Sequence, residues 1–180
     1  MKKELIKLSG ILCAITLVAA LLLAFVNNLT EERILIAAEA AAKNAMEIII
    51  PADNHEVVEG KENVYKAIKD SEVIGYCVNV SVSGFGGPVE MMVGIGTDGS
   101  VKGIDILSHS ETAGLGAKAD SDDFKSRFKD KSPELTVVKI PTENPSEVQA
   151  ITGATVTSKA VAEGVKKAFE TVMEIEGGNN

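Results

Sequence analysis

The chain has 180 residues, a formal net charge of −8 and only two cysteines, Cys13 and Cys77. The acidic balance argues against nucleic acid as a partner, because binding to phosphates relies on clustered lysine and arginine. Two cysteines are too few for a structural zinc site, a four-cysteine iron–sulfur cluster or a disulfide framework, and 4% aromatic residues leave little for stacking on bases or sugars.

The first predicted element is a membrane-spanning helix at residues 8–26, an uncharged run long enough to cross a bilayer core. Lys2, Lys3 and Lys7 precede the run and acidic residues follow it, which predicts a cytoplasmic N-terminus at 1–7 and an outer, periplasmic-side domain. The alternative is a cleaved signal peptide, but its apolar core is usually only about 7–15 residues and ends at a small-residue cleavage site. We therefore expect a single-pass anchor in the inner (plasma) membrane, with the lipid bilayer as a partner.

A stalk helix is predicted at residues 27–50. Thr30 is followed by two glutamates, which is typical of a helix start, and Pro51 ends the run. The stalk would continue from the span into a domain at 51–176. A first domain helix that is unrelated to the span is the alternative.

Residues 64–108 predict an antiparallel meander. Apolar residues alternate with small or polar ones at 74–82, which is the pattern of a half-buried strand, and Val89, Met91, Val93 and Ile95 form one face of a second strand. A glycine-rich turn separates these two strands. The dipeptide Asp98-Gly99 predicts a hairpin turn into a third strand, at 100–107.

The rest of the domain is predicted to contain a short helix at 121–130, a strand at 135–140 and an amphipathic helix at 158–176. Because strands and helices segregate along the chain, the predicted class is α+β, an antiparallel sheet packed with helices and preceded by one N-terminal transmembrane helix. The last residues, 177–180, are expected to form a disordered tail.

The segment before the last predicted helix is the first candidate site. It reads Thr152-Gly153-Ala154-Thr155-Val156-Thr157-Ser158 and carries four hydroxyl groups. A helix start offers free N–H groups and a partial positive charge to an anion, and small residues allow a bulky group to approach the backbone closely. The alternative is that the hydroxyls only cap the helix, and physical reasoning alone favours that alternative.

The second candidate site follows the third strand and reads His109-Ser110-Glu111-Thr112-Ala113-Gly114-Leu115-Gly116. Its glycines predict a backbone turn that either lies close to a flat ring or forms an ordinary loop. His109 and Glu111 alone are too few ligands for a metal site, so none is predicted. No arrangement of side chains suggests hydrolysis, and no catalytic residue is assigned.

The first segment closely resembles the [S/T]-G-A-T-x-T motif of the covalent FMN-binding domain family, which includes the G subunit of the Rnf complex and the C subunit of the sodium-pumping NADH:quinone reductase. The resemblance implies that FMN is esterified through its phosphate to Thr157, the last residue of the motif. It also implies that the preceding motif residues surround the cofactor, namely Thr152, Gly153, Ala154 and Thr155. The motif often has an aspartate three residues before its start, where this chain has Gln149.

The second segment resembles the H-x-E-T-P-G-L-G stretch of the Rnf G subunit, with Ala113 in place of proline. In that family the stretch contacts the flavin. The contacts implied here come from Glu111, Thr112, Gly114, Leu115 and Gly116. The C subunit of the quinone reductase is usually longer, so the length of the chain and this stretch favour the Rnf G subunit.

Together the two resemblances imply a membrane-anchored flavoprotein electron carrier, rather than a stand-alone enzyme, in a complex that links ferredoxin and NAD to ion translocation. They imply other membrane subunits of that complex as partners and a Mg-dependent flavin transferase that attaches the FMN. The alternatives are an anchored FMN-binding sensor, the C subunit of the quinone reductase, and a cofactor-free stalk protein.

Overall fold

The chain begins with one long helix, α1 (Lys2–Ile49), and ends with a second, α3 (Thr155–Gly177). The computed structural model describes residues 2–141 and 143–177, which divide into two compact units, Met1–Ala40 and Ala41–Asn180. Between these helices lie β1 (Asn54–Val58), β2 (Lys61–Lys69), β3 (Glu72–Ser83), β4 (Pro88–Gly96), β5 (Val101–His109), a 3₁₀ helix (Gly116–Asp120), α2 (Asp122–Ser126), β6 (Thr136–Val138) and β7 (Glu147–Gln149).

The first unit contains the larger part of α1. The stretch Ile6–Ile49 is long and apolar enough to cross a membrane, and its best 18-residue window has a mean hydropathy of 2.6. Large aliphatic side chains such as Leu12 and Leu21 are exposed along it. By length and composition this helix is a candidate membrane span, which agrees with the prediction.

Thr30 lies inside α1 and does not begin a helix, so the predicted helix start is wrong. Its hydroxyl donates to the carbonyl oxygens of Val26, at 2.9 Å, and Asn27, at 3.2 Å. Threonine bonds back in this way within helices, and a hydroxyl so engaged does not cap. No glycine or proline between residues 27 and 50 interrupts the helix, which ends at Ile49, just before Pro51.

The second unit is built on a five-stranded sheet with the order β1-β2-β3-β4-β5. Neighbouring strands are antiparallel, with pairs such as Val78 opposite Val93 between β3 and β4. The predicted meander and the α+β class are confirmed, and β2 adds a strand to the three that the sequence predicted. One face of this sheet packs against α3, whose Val161 and Val165 are buried in the main core.

The opposite face of the sheet is covered by the last turns of α1. Met46, Ile49 and Ile50 pack there with Cys77 and Met92 in a second buried cluster. The sequence predicted this face of β3 to be its exposed half. That prediction is wrong near Cys77, which is 0% exposed, because small residues on this face let the helix approach.

The edge strand β1 was not predicted, because its residues are mostly polar and exposed and show no alternation. The predicted strand at 135–140 exists as the shorter β6. It pairs in parallel with β7, which is only three residues long and was also missed.

The helix predicted at 121–130 is confirmed only at Asp122–Ser126, and turns follow it. Helix α3 begins three residues before the predicted start and ends at Gly177. The rest of the predicted disordered tail, 178–180, lies outside the described residues.

Candidate functional site

The threonine-rich segment forms a tight turn and the first turn of α3. Gly153 adopts a φ of 81°, which favours glycine, and α3 begins at Thr155. Thr157 is therefore the third residue of the helix, and its side chain is 1% exposed. The prediction that Thr157 precedes the helix is wrong, but it still lies at the positive end of the helix dipole.

The N-terminus of α3 has free donors. Among the described residues, nothing accepts a hydrogen bond from the backbone N–H of Thr155, Val156 or Thr157. The motif hydroxyls do not cap the helix, contrary to the alternative considered from the sequence. Ser158 instead accepts from the Ile151 N–H at 2.9 Å and donates to the Ala154 carbonyl at 2.9 Å, which fixes the turn.

The second segment leads from the end of β5 into the 3₁₀ helix. The Thr112 carbonyl accepts from the N–H groups of Leu115, at 3.1 Å, and Ala117, at 3.2 Å. Gly114 occupies the turn with a φ of 77°. The backbone therefore reverses between Thr112 and Gly116, as the glycines predicted.

A buried hydrogen bond joins the two segments. The Thr157 hydroxyl donates to Oε2 of Glu111 at 2.8 Å, and both side chains are buried. The other carboxylate oxygen of Glu111 accepts from the N–H groups of Phe85, at 2.7 Å, and Gly86, at 3.2 Å. Glu111 thus ties the β3–β4 turn, the β5 loop and α3 together, a role that the sequence did not indicate.

The surroundings of Glu111 favour its ionised form. Burial raises the pKa of the carboxyl group. The hydrogen bonds from Thr157, Gly86 and Phe85 lower it, as does the electrostatic effect of His109, and together they outweigh burial. The net pKa lies below the ordinary value for glutamate. Glu111 is therefore a carboxylate at neutral pH.

A cavity of about 380 Å³ opens beside this pair. Its volume lies in the range of roughly 300–1,000 Å³ that small-molecule sites occupy. The lining contains residues predicted from both segments: Glu111, Thr112, Leu115, Gly116, Gly153, Ala154, Thr155 and Thr157. It also contains two apolar side chains that were not predicted, Phe85 and Val156.

Two of the predicted residues are not in the lining of this cavity. Thr152 lines a separate cavity of about 220 Å³ together with Gln149 and Arg127. Gly114 is exposed and is not among the residues that line the larger cavity. Phe85 was missed because the stretch around it was treated only as a turn, although a 73% exposed aromatic between glycines is itself a signal of a binding surface.

Gly116 must lack a side chain for the site to exist. A Cβ at this position would stand 2.3 Å from Oε2 of Glu111 and 2.8 Å from Oγ1 of Thr157. Gly84 meets the same carboxylate from the other side, where a Cβ would be 2.0 Å from Oε1. Glycines therefore surround the Glu111–Thr157 pair because there is no room for anything larger.

Comparison with known proteins identifies the family of the chain. The sequence model of the FMN-binding domain matches residues 84–170, and that of the RnfG N-terminal region matches residues 1–49. The G subunit of the proton-translocating ferredoxin:NAD(+) oxidoreductase complex from Clostridium ljungdahlii is 46% identical over 132 residues, which are 73% of this chain and 71% of that protein. The chain belongs to the RnfG family, the G subunits of Rnf complexes.

A second member of the RnfG family extends the match to almost the whole chain. The G subunit of the Na(+)-translocating ferredoxin:NAD(+) oxidoreductase complex from Acetobacterium woodii is 36% identical in an alignment 197 positions long, which covers 96% of this chain and 94% of that protein. The family assignment therefore includes the helical N-terminus as well as the domain with the cavity.

Two solved structures resemble the domain. The C subunit of the Na(+)-translocating NADH-quinone reductase from Parabacteroides distasonis is 28% identical with a TM-score of 0.50, and the match covers 58% of this chain and 57% of that one. NqrC from Shewanella oneidensis is 21% identical with a TM-score of 0.53, and the match covers 66% of this chain and 65% of that one. At this identity the match shows only that the fold is shared. The chain thus spans less than two thirds of either solved chain.

The residues of this RnfG family member fit FMN. The cavity offers apolar surface from Phe85, Leu115 and Val156 for a flat ring, and the free N–H groups at the start of α3 suit a phosphate. Within the described part of the chain, no three His, Cys, Asp or Glu side chains are grouped so as to hold a metal ion.

Proposed function

We propose that this chain is a membrane-anchored flavoprotein electron carrier, a subunit of an Rnf-type complex that couples electron transfer between ferredoxin and NAD to ion translocation. The observation that carries this function is the cavity that the two resembling segments build together within the FMN-binding domain. Bound FMN supplies the redox chemistry, and the protein positions it. One candidate span cannot form an ion path, so translocation belongs to partner subunits.

FMN is held covalently, as a phosphoester of Thr157. Thr157 supports this assignment because its hydroxyl lines the cavity and stands beside free N–H groups that would stabilise the negative charge of the phosphodiester. Its neighbour Ser158 does not line the cavity and is engaged in the turn. Thr155 is the nearest competitor, because it lines the cavity and is only partly buried.

The remaining residues hold the ring and its linkage. Leu115, Val156 and Phe85 provide apolar contacts, and Gly116 and Gly153 let the backbone come close. Thr112, Ala154 and Thr155 complete the wall. Thr152 and Gly114 are expected from the family resemblance to contribute from the edges of the two segments.

The anchor is α1, with the N-terminus in the cytoplasm, the FMN domain on the outer side and the bilayer around residues 8–26. A separate flavin transferase attaches the cofactor. The alternative considered from the sequence, the C subunit of a sodium-pumping NADH:quinone reductase, shares the fold of the domain. The match of the RnfG N-terminal region to residues 1–49 favours the Rnf G subunit.

The test is flavin attachment to the full-length chain produced together with a flavin transferase. We expect the wild-type chain and Thr157→Ser to gain the mass of one FMN and Thr157→Ala to gain none, because only a hydroxyl can form the ester. Thr155→Ala is the matched control and keeps the modification. The measurement is intact mass, with peptide mapping of the modified residue and flavin fluorescence on a denaturing gel.

Thr157→Ala also removes the hydrogen bond to Oε2 of the buried Glu111 carboxylate. An unsatisfied buried oxygen lowers the stability of the fold by about 1–3 kcal/mol, so folding of each variant is checked by thermal unfolding. Attachment in a folded Thr157→Ala chain, or mapping to Thr155, would contradict the site. A wild-type chain that binds FMN only reversibly would contradict covalent attachment while leaving the carrier function in place.

A further inference from the structure

We propose that Glu111 accepts the proton of Thr157 when the flavin is attached, so that the chain supplies a catalytic group for its own modification. This inference rests on the proposed attachment at Thr157. It adds a function to Glu111, which the family resemblance gives only as a flavin contact.

The geometry is that of a nucleophile and its base. The Oγ1 of Thr157 and the Oε2 of Glu111 are 2.8 Å apart, inside the reach of roughly 2.6–3.2 Å that a general base requires. The base is itself held in place, because the N–H groups of Phe85 and Gly86 both donate to Oε1. A nucleophile, a base and a third group that orients the base are the signature of an activated hydroxyl.

The charge state of Glu111 is the right one. Its hydrogen bonds outweigh burial and keep the pKa of the carboxyl group below the ordinary glutamate value, so the carboxylate is available to take a proton. The hydroxyl has no other acceptor among the described residues. The proton of Thr157 therefore already points at the group that would receive it.

The reaction balances with one co-reactant, a flavin nucleotide whose phosphate is part of a phosphoanhydride, delivered by the transferase. Thr157 attacks the flavin phosphorus while its proton passes to Oε2 of Glu111. The Oγ1–P bond forms, the anhydride P–O bond breaks, and the second phosphate leaves with the bridging oxygen. Glu111 then releases the proton to solvent through the cavity, and nothing is oxidised or reduced.

The product also fits the site. The ester oxygen no longer carries a proton, so the bond to Glu111 is lost and a negative phosphodiester takes its place beside the carboxylate. The three free N–H groups at the start of α3 oppose that repulsion. The first turn of α3 thus positions the Thr157 hydroxyl before the reaction and stabilises the phosphodiester charge after it.

The decisive variant is Glu111→Gln in the full-length chain. The amide oxygen still accepts from Phe85 and Gly86, but the amide nitrogen donates towards Thr157 and cannot take its proton. In single-turnover reactions with purified transferase and a flavin dinucleotide, followed by intact mass, we expect attachment to slow by about 10²–10⁴-fold, the usual contribution of a general base. The transferase concentration that gives half the maximal rate stays unchanged.

The control is Glu90→Gln, a change of the same kind at an exposed position on β4, which keeps the wild-type rate. The pH dependence separates a base from a merely structural residue. Hydroxide replaces the missing base in the variant, so the ratio of wild-type to Glu111→Gln rates falls about tenfold per pH unit from pH ~6 to ~8. Taking the ratio removes the pH dependence of the transferase itself.

A folded Glu111→Gln chain that is modified at the wild-type rate overturns the proposal, and so does a slow rate whose ratio to wild type is constant with pH. If the glutamine variant is unfolded, the pKa of Glu111 measured by NMR decides. Thr157→Val should raise that pKa, and an unchanged value overturns the proposal. Failure of the wild-type chain to be modified contradicts the attachment at Thr157 instead, provided that the transferase modifies a known acceptor.

Discussion

Two glycines of the same loop, Gly114 and Gly116, have different tasks. Gly114 has a φ of 77° and open space around the position of a Cβ, so it serves the turn. Gly116 needs no unusual φ, but a Cβ there would press on Glu111 and Thr157. This difference can be tested because alanine separates backbone strain from steric contact.

We expect Gly116→Ala to reduce flavin attachment at least about tenfold by forcing the Glu111–Thr157 pair apart, since general-base transfer requires close contact. Gly114→Ala should instead cost about 1–2 kcal/mol of stability, from a left-handed conformation at a residue with a Cβ, and keep the wild-type attachment rate. The measurements are attachment by intact mass and unfolding by denaturant. Equal attachment rates in the two variants would contradict the close packing at Gly116.

The candidate site was predictable in its segments but not in its connections. The hydroxyl-bearing residues and glycines of 152–158 and 109–116 can be recognised in the sequence, and both segments line one cavity. The bond from Thr157 to Glu111 spans 46 positions of the chain, and a single sequence does not show which carboxylate meets which hydroxyl. Phe85 joins the site only because a hairpin turn places it there.

At the scale of secondary structure, the last turns of α1 belong to the sheet domain. Ile49 packs so closely that a Cβ on Gly94 would lie 2.2 Å from its Cγ2, and one on Gly103 would lie 3.5 Å from it. Glycines on two neighbouring strands thus form a recess that receives one isoleucine. The helix end is therefore a part of the fold and not only a connection to the anchor.

We expect Ile49→Ala to destabilise the domain by about 2–5 kcal/mol, because it leaves a cavity in the recess. The matched control is Ile48→Ala, one residue earlier and 75% exposed, which should change stability by less than about 0.5 kcal/mol. The measurement is denaturant unfolding of the two variants and the wild type. A second readout is the rate at which Cys77 reacts with a thiol reagent.

Burial raises the pKa of the Cys77 thiol to about 12, so the folded domain protects it from reaction. A loss of about 2 kcal/mol of local stability should raise the Cys77 reaction rate by about 30-fold, at 1.4 kcal/mol for each factor of ten. Equal protection of Cys77 in Ile49→Ala and Ile48→Ala would show that the helix end is not needed to cover the sheet.

The predicted strands were accurate where every second residue over a long stretch is large and apolar. Strands β3 and β4 each carry such a face, and both were placed correctly. Strand β1 is exposed at an edge and β7 has three residues, so neither carries a periodic signal. The packing of the end of α1 over Cys77 was missed, because small residues such as glycine and cysteine occur on a strand face whether that face is exposed to solvent or covered by a helix.

At the scale of the whole molecule, charge is distributed unevenly along the chain. Lysines dominate the first seven residues, no charge follows until Glu31, and the acidic excess lies beyond it. An acidic domain is repelled by anionic lipid headgroups, so surface charge does not hold it at a membrane. Attachment to the bilayer therefore depends on the apolar helix.

We expect the C-terminus to lie outside the cytoplasm, because the lysines before the apolar run favour the cytoplasmic side. A C-terminal alkaline phosphatase, which is active only outside, should be active, and a fluorescent protein that matures only inside should remain dark. Replacing Lys2, Lys3 and Lys7 by glutamate should reduce the phosphatase signal. A bright fluorescent fusion of the unaltered chain would contradict this orientation.

The burial of Thr157 constrains when the proposed flavin attachment can take place. Thr157 is 1% exposed, and it lines a cavity to which the exposed side chains of Phe85 and Val156 also belong. A partner protein that docked over these side chains would shut out the modifying enzyme. If the flavin is attached at Thr157 as proposed, loading must precede any docking of this kind, because a partner seated there would leave the chain without its cofactor.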